Sequence, residues 1–154
     1  MKQYYTITNP ATYDAAHVRA HYTFDGSHYM NAGEYIEVLC KTACGVSAKK
    51  DGSTPYNVGS DIEEYKASVK SSAATLVNWK LAETLEKSLD VYFKNTASKN
   101  FWYGSIENNV LIIYKMTAAT FRKFLEKFSF INERGCVRVR EETKMMKRWL
   151  NMNV

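Results

Sequence analysis

The stretch FWYGSIENNVLIIYKM (101–116) constrains the chain more than any other. Two runs rich in aromatic and β-branched residues meet across Asn108-Asn109 and read as antiparallel strands joined by a tight hairpin turn. Directly after them, Thr117 stands as a cap ahead of Phe121, Phe124, Leu125 and Phe128. Their spacing of i, i+3, i+4, i+7 is the stripe of an amphipathic helix. A hairpin that runs straight into such a helix commits the chain to a sheet covered by helices.

The other elements follow from local signals. Asn9-Pro10 opens a helix through ATYDAAHVRAHYTF, with Pro at its first position, and Asp25-Gly26-Ser27 ends it. Asn31 caps a second helix, AGEYIEVLCKTAC, which puts Tyr35, Ile36, Leu39 and Ala43 on one face and stops at Gly45. The turn-rich AKKDGSTPYNVGS leads to Asp61, and SVKS (68–71) reads as a short strand. A third helix is expected from Trp79 to Phe93, with Leu81, Leu85, Leu89 and Tyr92 inward. CVRVR (136–140) alternates like an edge strand, and EETKMMKRWL closes the chain as a helix with Met145, Met146, Trp149 and Leu150 inward.

This order predicts an α/β (α+β) domain. With 154 residues, 45% hydrophobic and 24% charged, one domain over 1–154 is expected, its core at about 31–115 and a C-terminal strand and basic helix at 134–152. No apolar run approaches the ~18–20 residues of a membrane helix. The opening MKQYYTITNP reads as lacking a secretory signal. Cys40, Cys44 and Cys136 are an odd set best read as reduced thiols, so a cytoplasmic protein is expected. The formal charge of +5 permits a polyanionic partner without requiring one.

The segment GSDIEEYKASVKSS (59–72) carries the candidate chemistry. EEYK turns the chain within a tight hairpin. By the two-residue period of a strand, Ser68 and Lys70 share one face and Ala67 and Val69 the other. Lys70 then projects away from the core beside Asp61 on the neighbouring strand. A metal-dependent phosphodiesterase pairs a carboxylate, which holds Mg²⁺, with a lysine, which positions the attacking water and neutralises the phosphate. A second parse takes Glu64 and Lys66 as the acid and the lysine, but leaves Asp61 on the same strand as both.

Asp61 followed by Ser68-Val69-Lys70, with a helix before and after, resembles the PD-(D/E)xK nuclease superfamily over roughly residues 31–115. The resemblance implies a restriction-endonuclease-like core of helix, hairpin, helix and strand, with a mixed central sheet flanked by helices. It implies Mg²⁺ or Mn²⁺ as cofactor. Two positions depart from the usual pattern: Ser60 stands where Pro is common, and Ser68 stands where Asp or Glu is usual. One restriction-enzyme branch with this SVK variant restores the lost ligand from a glutamate on the following helix. Glu83, thirteen positions beyond Lys70, matches that branch. Superfamily members also often carry a glutamate on the helix before the hairpin. Glu37, at the edge of the apolar stripe, fits better than Glu34 on the polar face.

Other groups read more plainly. His17 and His21 are one helical turn apart, with Asp14 before them, but no further ligand accompanies them, and a structural role is preferred. Cys40 and Cys44 likewise read as small core residues. Nucleophile elbows, Walker lysine loops and GxGxxG motifs are absent. Arg134, Arg138, Arg140, Lys144, Lys147 and Arg148 form the densest basic region, suited to phosphate contact or equally to a solvated surface. Lys94, Lys99 and Asn100 could add a second contact.

The expected function is therefore a Mg²⁺-dependent DNA endonuclease, restriction-like or phage-encoded, acting on double-stranded DNA as a homodimer. Asp61, Glu83 and Glu37 are its expected metal-binding residues, Lys70 its catalytic lysine, and Ser68 occupies the usual acid's place. The alternative is a non-catalytic nucleic-acid-binding or interaction domain with a nuclease-like fold. An RNA-cleaving toxin is a third reading.

Overall fold

The computed structural model describes residues 1–7, 32–45, 61–77 and 79–154. In chain order the elements are β1 (Lys2–Thr6), α1 (Ala32–Ala43), a 3-10 turn (Glu63–Tyr65), β2 (Ala67–Lys70), α2 (Leu85–Asn95), β3 (Asn100–Glu107), β4 (Val110–Thr117), α3 (Ala118–Phe128), β5 (Ser129–Ile131), β6 (Val137–Val139) and α4 (Lys144–Asn153). The hairpin turn forms as its residues require. Asn108 and Asn109 take φ of 51° and 62°, left-handed values that asparagine tolerates and that match the twist of the flanking strands.

The main sheet is ordered β1-β4-β3-β2. β3 and β1 pair antiparallel with β4, while β2 runs parallel to β3 because α2 carries the chain across between them. The sheet is therefore mixed and the domain is α/β, as expected. One face packs Trp102, Leu111 and Ile113 against Tyr35, Ile36, Leu39 and Cys40 of α1. The close approach depends on Gly104: a β-carbon there would lie 2.6 Å from Ile36 Cγ2. α1 ends at Ala43, and Gly45 follows with φ of 71°.

The other face carries the larger core, in which Phe101, Tyr103, Tyr114 and Met116 meet α2, α3 and α4. The stripe Phe121, Phe124, Leu125 and Phe128 is buried throughout. Phe101 and Phe121 stack at 4.9 Å, and Phe93 meets Phe101 edge-on at 5.5 Å. Each such buried ring contributes about 1.5–3 kcal/mol.

Several expectations are corrected. α2 begins at Leu85, not Trp79, because Thr84 caps it: Thr84 Oγ1 accepts from the Lys87 N–H at 3.2 Å. Met145 is 64% exposed, since the face of α4 defined by Met146 and Leu150 turns it one residue outward. β1 was not foreseen; it exists by pairing with the edge of β4, with Tyr4 outward and Tyr5 toward α1. The CVRVR strand does form, as β6, but it pairs with the unforeseen β5 in a separate two-stranded ribbon. This ribbon grips the chain leaving β2: Leu76 N–H donates to Val137 O at 2.9 Å and Val139 N–H to Ala74 O at 2.7 Å. The helix expected from Asn9-Pro10, with His17 and His21, lies outside the described residues, as does the Asn31 cap.

Candidate active site

The site is built on the turn before β2. Ile62 and Ala67 exchange both backbone hydrogen bonds, at 3.0 and 3.1 Å, closing a hairpin around Glu63–Tyr65. Lys66 completes the turn with φ of 48°. The closure sets Asp61 beside β2, where its Oδ2 accepts from the Val69 N–H at 2.7 Å. A charge-assisted bond of this length fixes the carboxylate's position. Glu64 and Lys66 of the rival parse sit exposed on the turn, where the Lys66 ammonium pairs with Glu63.

The parallel register places Ser68 opposite Phe101 and Lys70 opposite Tyr103, on the sheet face that α2 covers. This corrects the expectation that the Ser68–Lys70 face looks away from the core. Ser68 is 7% exposed and Lys70 half-buried, because the crossover to β3 lays α2 over that face. Between β2 and α2 remains a cleft of about 640 Å³, lined by Asp61, Ser68, Lys70, Tyr92, Asn95 and Thr96, with Trp79 and Lys80 also on its wall. That volume falls within the range of small-ligand sites.

A hydroxyl network occupies the position where the usual acid would stand. Ser68 Oγ and Ser98 Oγ are 2.5 Å apart and share a hydrogen bond. The Tyr92 phenol lines the same cleft as Ser68 and Thr96. Burial, followed by the charge of Asp61, pushes its pKa up to about 12 against the opposing effect of those hydroxyls. Tyr92 is therefore a protonated donor at neutral pH, close enough to Asp61 to feel its charge. Tyr92 read as part of an apolar stripe in the sequence, and Thr96 and Ser98 carried no signal there. Only the packing of α2 over β2 brings Tyr92 and Thr96 into the cleft with Asp61 and Ser98 onto Ser68.

The two glutamates are placed elsewhere. Glu83 precedes the Thr84 cap, its side chain is 80% exposed, and it pairs with Lys80 at 2.7 Å. Glu37 lies on α1, against the opposite sheet face, paired with the buried Lys41 at 3.4 Å. Glu37 and Asp61 both act electrostatically on Cys40, whose pKa is raised first by burial and then by neighbouring Cys44 and Glu37. Cys40 is thus an inert core thiol, in keeping with its reading as a small core residue. Neither glutamate lines the cleft, and among the described residues no three His, Cys, Asp or Glu side chains gather where they could hold a metal ion. Among the described residues that line the cleft, Asp61 is the carboxylate, and the Val69 N–H fixes it. That set fits Mg²⁺, which keeps several waters and is bound through one or two carboxylates together with substrate phosphate.

The basic region is divided among several roles. Arg134, Lys144 and Arg148 are exposed. Arg138 donates to Thr75 Oγ1 at 3.3 Å, and the Arg140 guanidinium lies 4.9 Å from the Phe130 ring centroid. Lys147 is drawn inward to a second polar cluster. Its ammonium donates to Ser105 Oγ and Glu107 Oε2, both at 3.0 Å, and lies 3.8 Å from Glu142 Oε1. Tyr103 and Ser105 donate to Glu142 at 2.7 and 2.8 Å.

No helix among the described residues is long and apolar enough to cross a membrane. Comparison with known protein families, curated proteins and solved structures finds no match to this chain.

Proposed function

We propose that this protein is a Mg²⁺-dependent endodeoxyribonuclease of the PD-(D/E)xK type, with the restriction-endonuclease-like core that its helix, hairpin, helix, strand order suggests. One observation carries the reading: Asp61, held by the Val69 N–H, shares a cleft with Lys70. Asp61 would hold the metal, which when bound supplies Lewis-acid neutralisation of the phosphate and a more acidic water. Lys70 adds a fixed positive charge for the non-bridging phosphate oxygens and orients the water for in-line attack. Ser98 keeps the Ser68 hydroxyl in place, Tyr92 stays protonated beside it, and among the described residues Asp61 is the acid that lines this wall. Exposed Arg134, Lys144 and Arg148 would contact the DNA backbone. Cutting both strands of a duplex requires two such sites, so a homodimer is part of the proposal, as is a cytoplasmic, bacterial or phage setting.

The test is cleavage of plasmid and phage DNA with Mg²⁺ or Mn²⁺, beside EDTA and a Lys70→Ala control. Discrete fragments that vanish in both controls support the proposal; DNA left intact by the wild-type protein with either metal overturns it.

Ser68 favours a second reading. Its hydroxyl is bound to Ser98 where the superfamily usually has a carboxylate, which is how a site that binds nucleic acid without cutting it would look. Titration calorimetry separates the two. A live site binds Mn²⁺ and loses it on Asp61→Ala, whereas a binding-only domain shows no Asp61-dependent metal uptake.

A further inference from the structure

Trp79 is 64% exposed and lines the cleft that holds Asp61 and Lys70. Among the described residues its indole makes no ring stacking contact, cation–π contact or hydrogen bond. A large aromatic surface left in water at the wall of a polar cleft offers a face on which a flat ring can stack. Its neighbours say which partner. Lys80 lines the same cleft, and Gly135 in the β5–β6 turn packs on the Lys80 stem, where a β-carbon would lie 2.9 Å from Cγ. The ribbon thus fixes the Trp79-Lys80 segment, with Arg134 next in the chain. Lys70 stands deeper in the cleft beside Asp61. Lys80 Nζ is paired with Glu83 at 2.7 Å, so Lys70 is the lysine of this cleft left for a phosphate. An aromatic face with that lysine in the same cleft matches a base with its phosphate.

We propose that Trp79 is a stacking platform for an unpaired nucleobase next to the phosphate that Lys70 and Asp61 engage. The site is thereby suited to a frayed, flipped or single-stranded segment, not to a fully stacked duplex. This rests on the nucleic-acid reading above, and stacking of a sequence-tolerant kind supplies affinity without base readout.

Intrinsic fluorescence tests it, because Trp102 is 3% exposed and Trp149 is packed against the core. The full-length protein is titrated with a single-stranded oligodeoxynucleotide in EDTA. Quenching is expected for the wild type and is lost in Trp79→Phe. Trp79→Ala, an exposed change that leaves the circular dichroism intact, raises Kd by about 5- to 150-fold. The slope of log Kd against log salt is unchanged, because no charge is removed, and Trp79→Tyr restores most of the affinity. Quenching that persists in Trp79→Phe, equal Kd in Trp79→Ala, or no binding by the wild type overturns the proposal. Lys70→Ala keeps the two readings apart. If the wild type does not cleave yet the Trp79 effects hold, the nuclease reading falls and the stacking site stands; cleavage with no Trp79 effect does the reverse.

Discussion

Two polar clusters lie on the same face of the sheet and are made of the same residue types. At the β2 edge are Asp61, Ser68, Lys70 and Tyr92; toward α4 are Glu142, Ser105, Lys147 and Tyr103. The second is closed. Its carboxylate accepts from a phenol and a hydroxyl, its lysine reaches Ser105, Glu107 and Glu142, and the Glu142 N–H donates to Ser72 Oγ at 2.7 Å. The first opens onto a cleft of about 640 Å³. Residue type therefore does not separate a structural network from a candidate site. What separates them is whether the polar groups spend their bonding capacity on one another or turn part of it toward space that a ligand can fill.

The largest expected effect lies in the open cluster. Lys70→Ala should lower DNA cleavage by about 10²–10⁴-fold, in the range of a lost catalytic group, while the urea midpoint stays near that of the wild type. A collapse of stability in this variant would erase the distinction and make Lys70 structural. The closed cluster should behave in the opposite way. Glu142→Ala leaves the Tyr103 and Ser105 hydroxyls and the Lys147 ammonium short of a partner and should cost about 1–3 kcal/mol in denaturant unfolding, with the cleavage rate of the folded protein unchanged.

The pH dependence sharpens the same contrast. The Tyr103 pKa is raised from its ordinary 10.0, first by burial and then by the charge of Glu142. Burial works against the charged Lys147, but the Glu107 hydrogen bond and the Glu142 charge outweigh it and raise its pKa too. A pKa raised on folding contributes stability that is complete below the unfolded pKa and is lost as pH rises through the folded one. Stability should therefore be level from pH 7 to about 9 with respect to these groups and fall above about pH 10. Tyr103→Phe should shallow that alkaline fall; an identical profile in this variant would show that Tyr103 does not contribute to it. The smallest effect is expected for Glu83→Gln. An exposed ion pair is worth about 0–1 kcal/mol, so cleavage should change by less than about fivefold. A loss as large as that of Asp61→Ala would mean that the Lys80–Glu83 segment brings Glu83 into the cleft when DNA binds.

Much of the scaffold is legible in local sequence. Asn108-Asn109 encodes the turn and Thr117 the cap of α3. The Phe121–Phe128 stripe sets its buried face, because turn conformation, capping and helical periodicity are short-range effects. Asp61 and Lys70 were legible as a pair for the same reason: nine residues and one tight turn separate them. Glu83 and Glu37 were legible only as letters at a suitable spacing. A helix that starts six residues late, at Leu85 and not Trp79, leaves Glu83 outside it, and spacing does not tell which face of the sheet α1 covers.

By itself, then, the sequence determined the β3–β4 hairpin, the helices that cover it, and that a carboxylate and a lysine meet across one tight turn. Tertiary structure alone decided what surrounds them. The parallel crossover laid α2 over Ser68 and Lys70, brought Tyr92 and Thr96 into the cleft with Asp61, and kept Trp79 at its wall. It also drew Lys147 out of the basic surface and into the Glu142 network. The physical reason is one of range. Dihedral preference and hydrogen bonding between near neighbours are written along the chain, whereas burial, desolvation and cavity shape depend on residues that meet only when the layers pack.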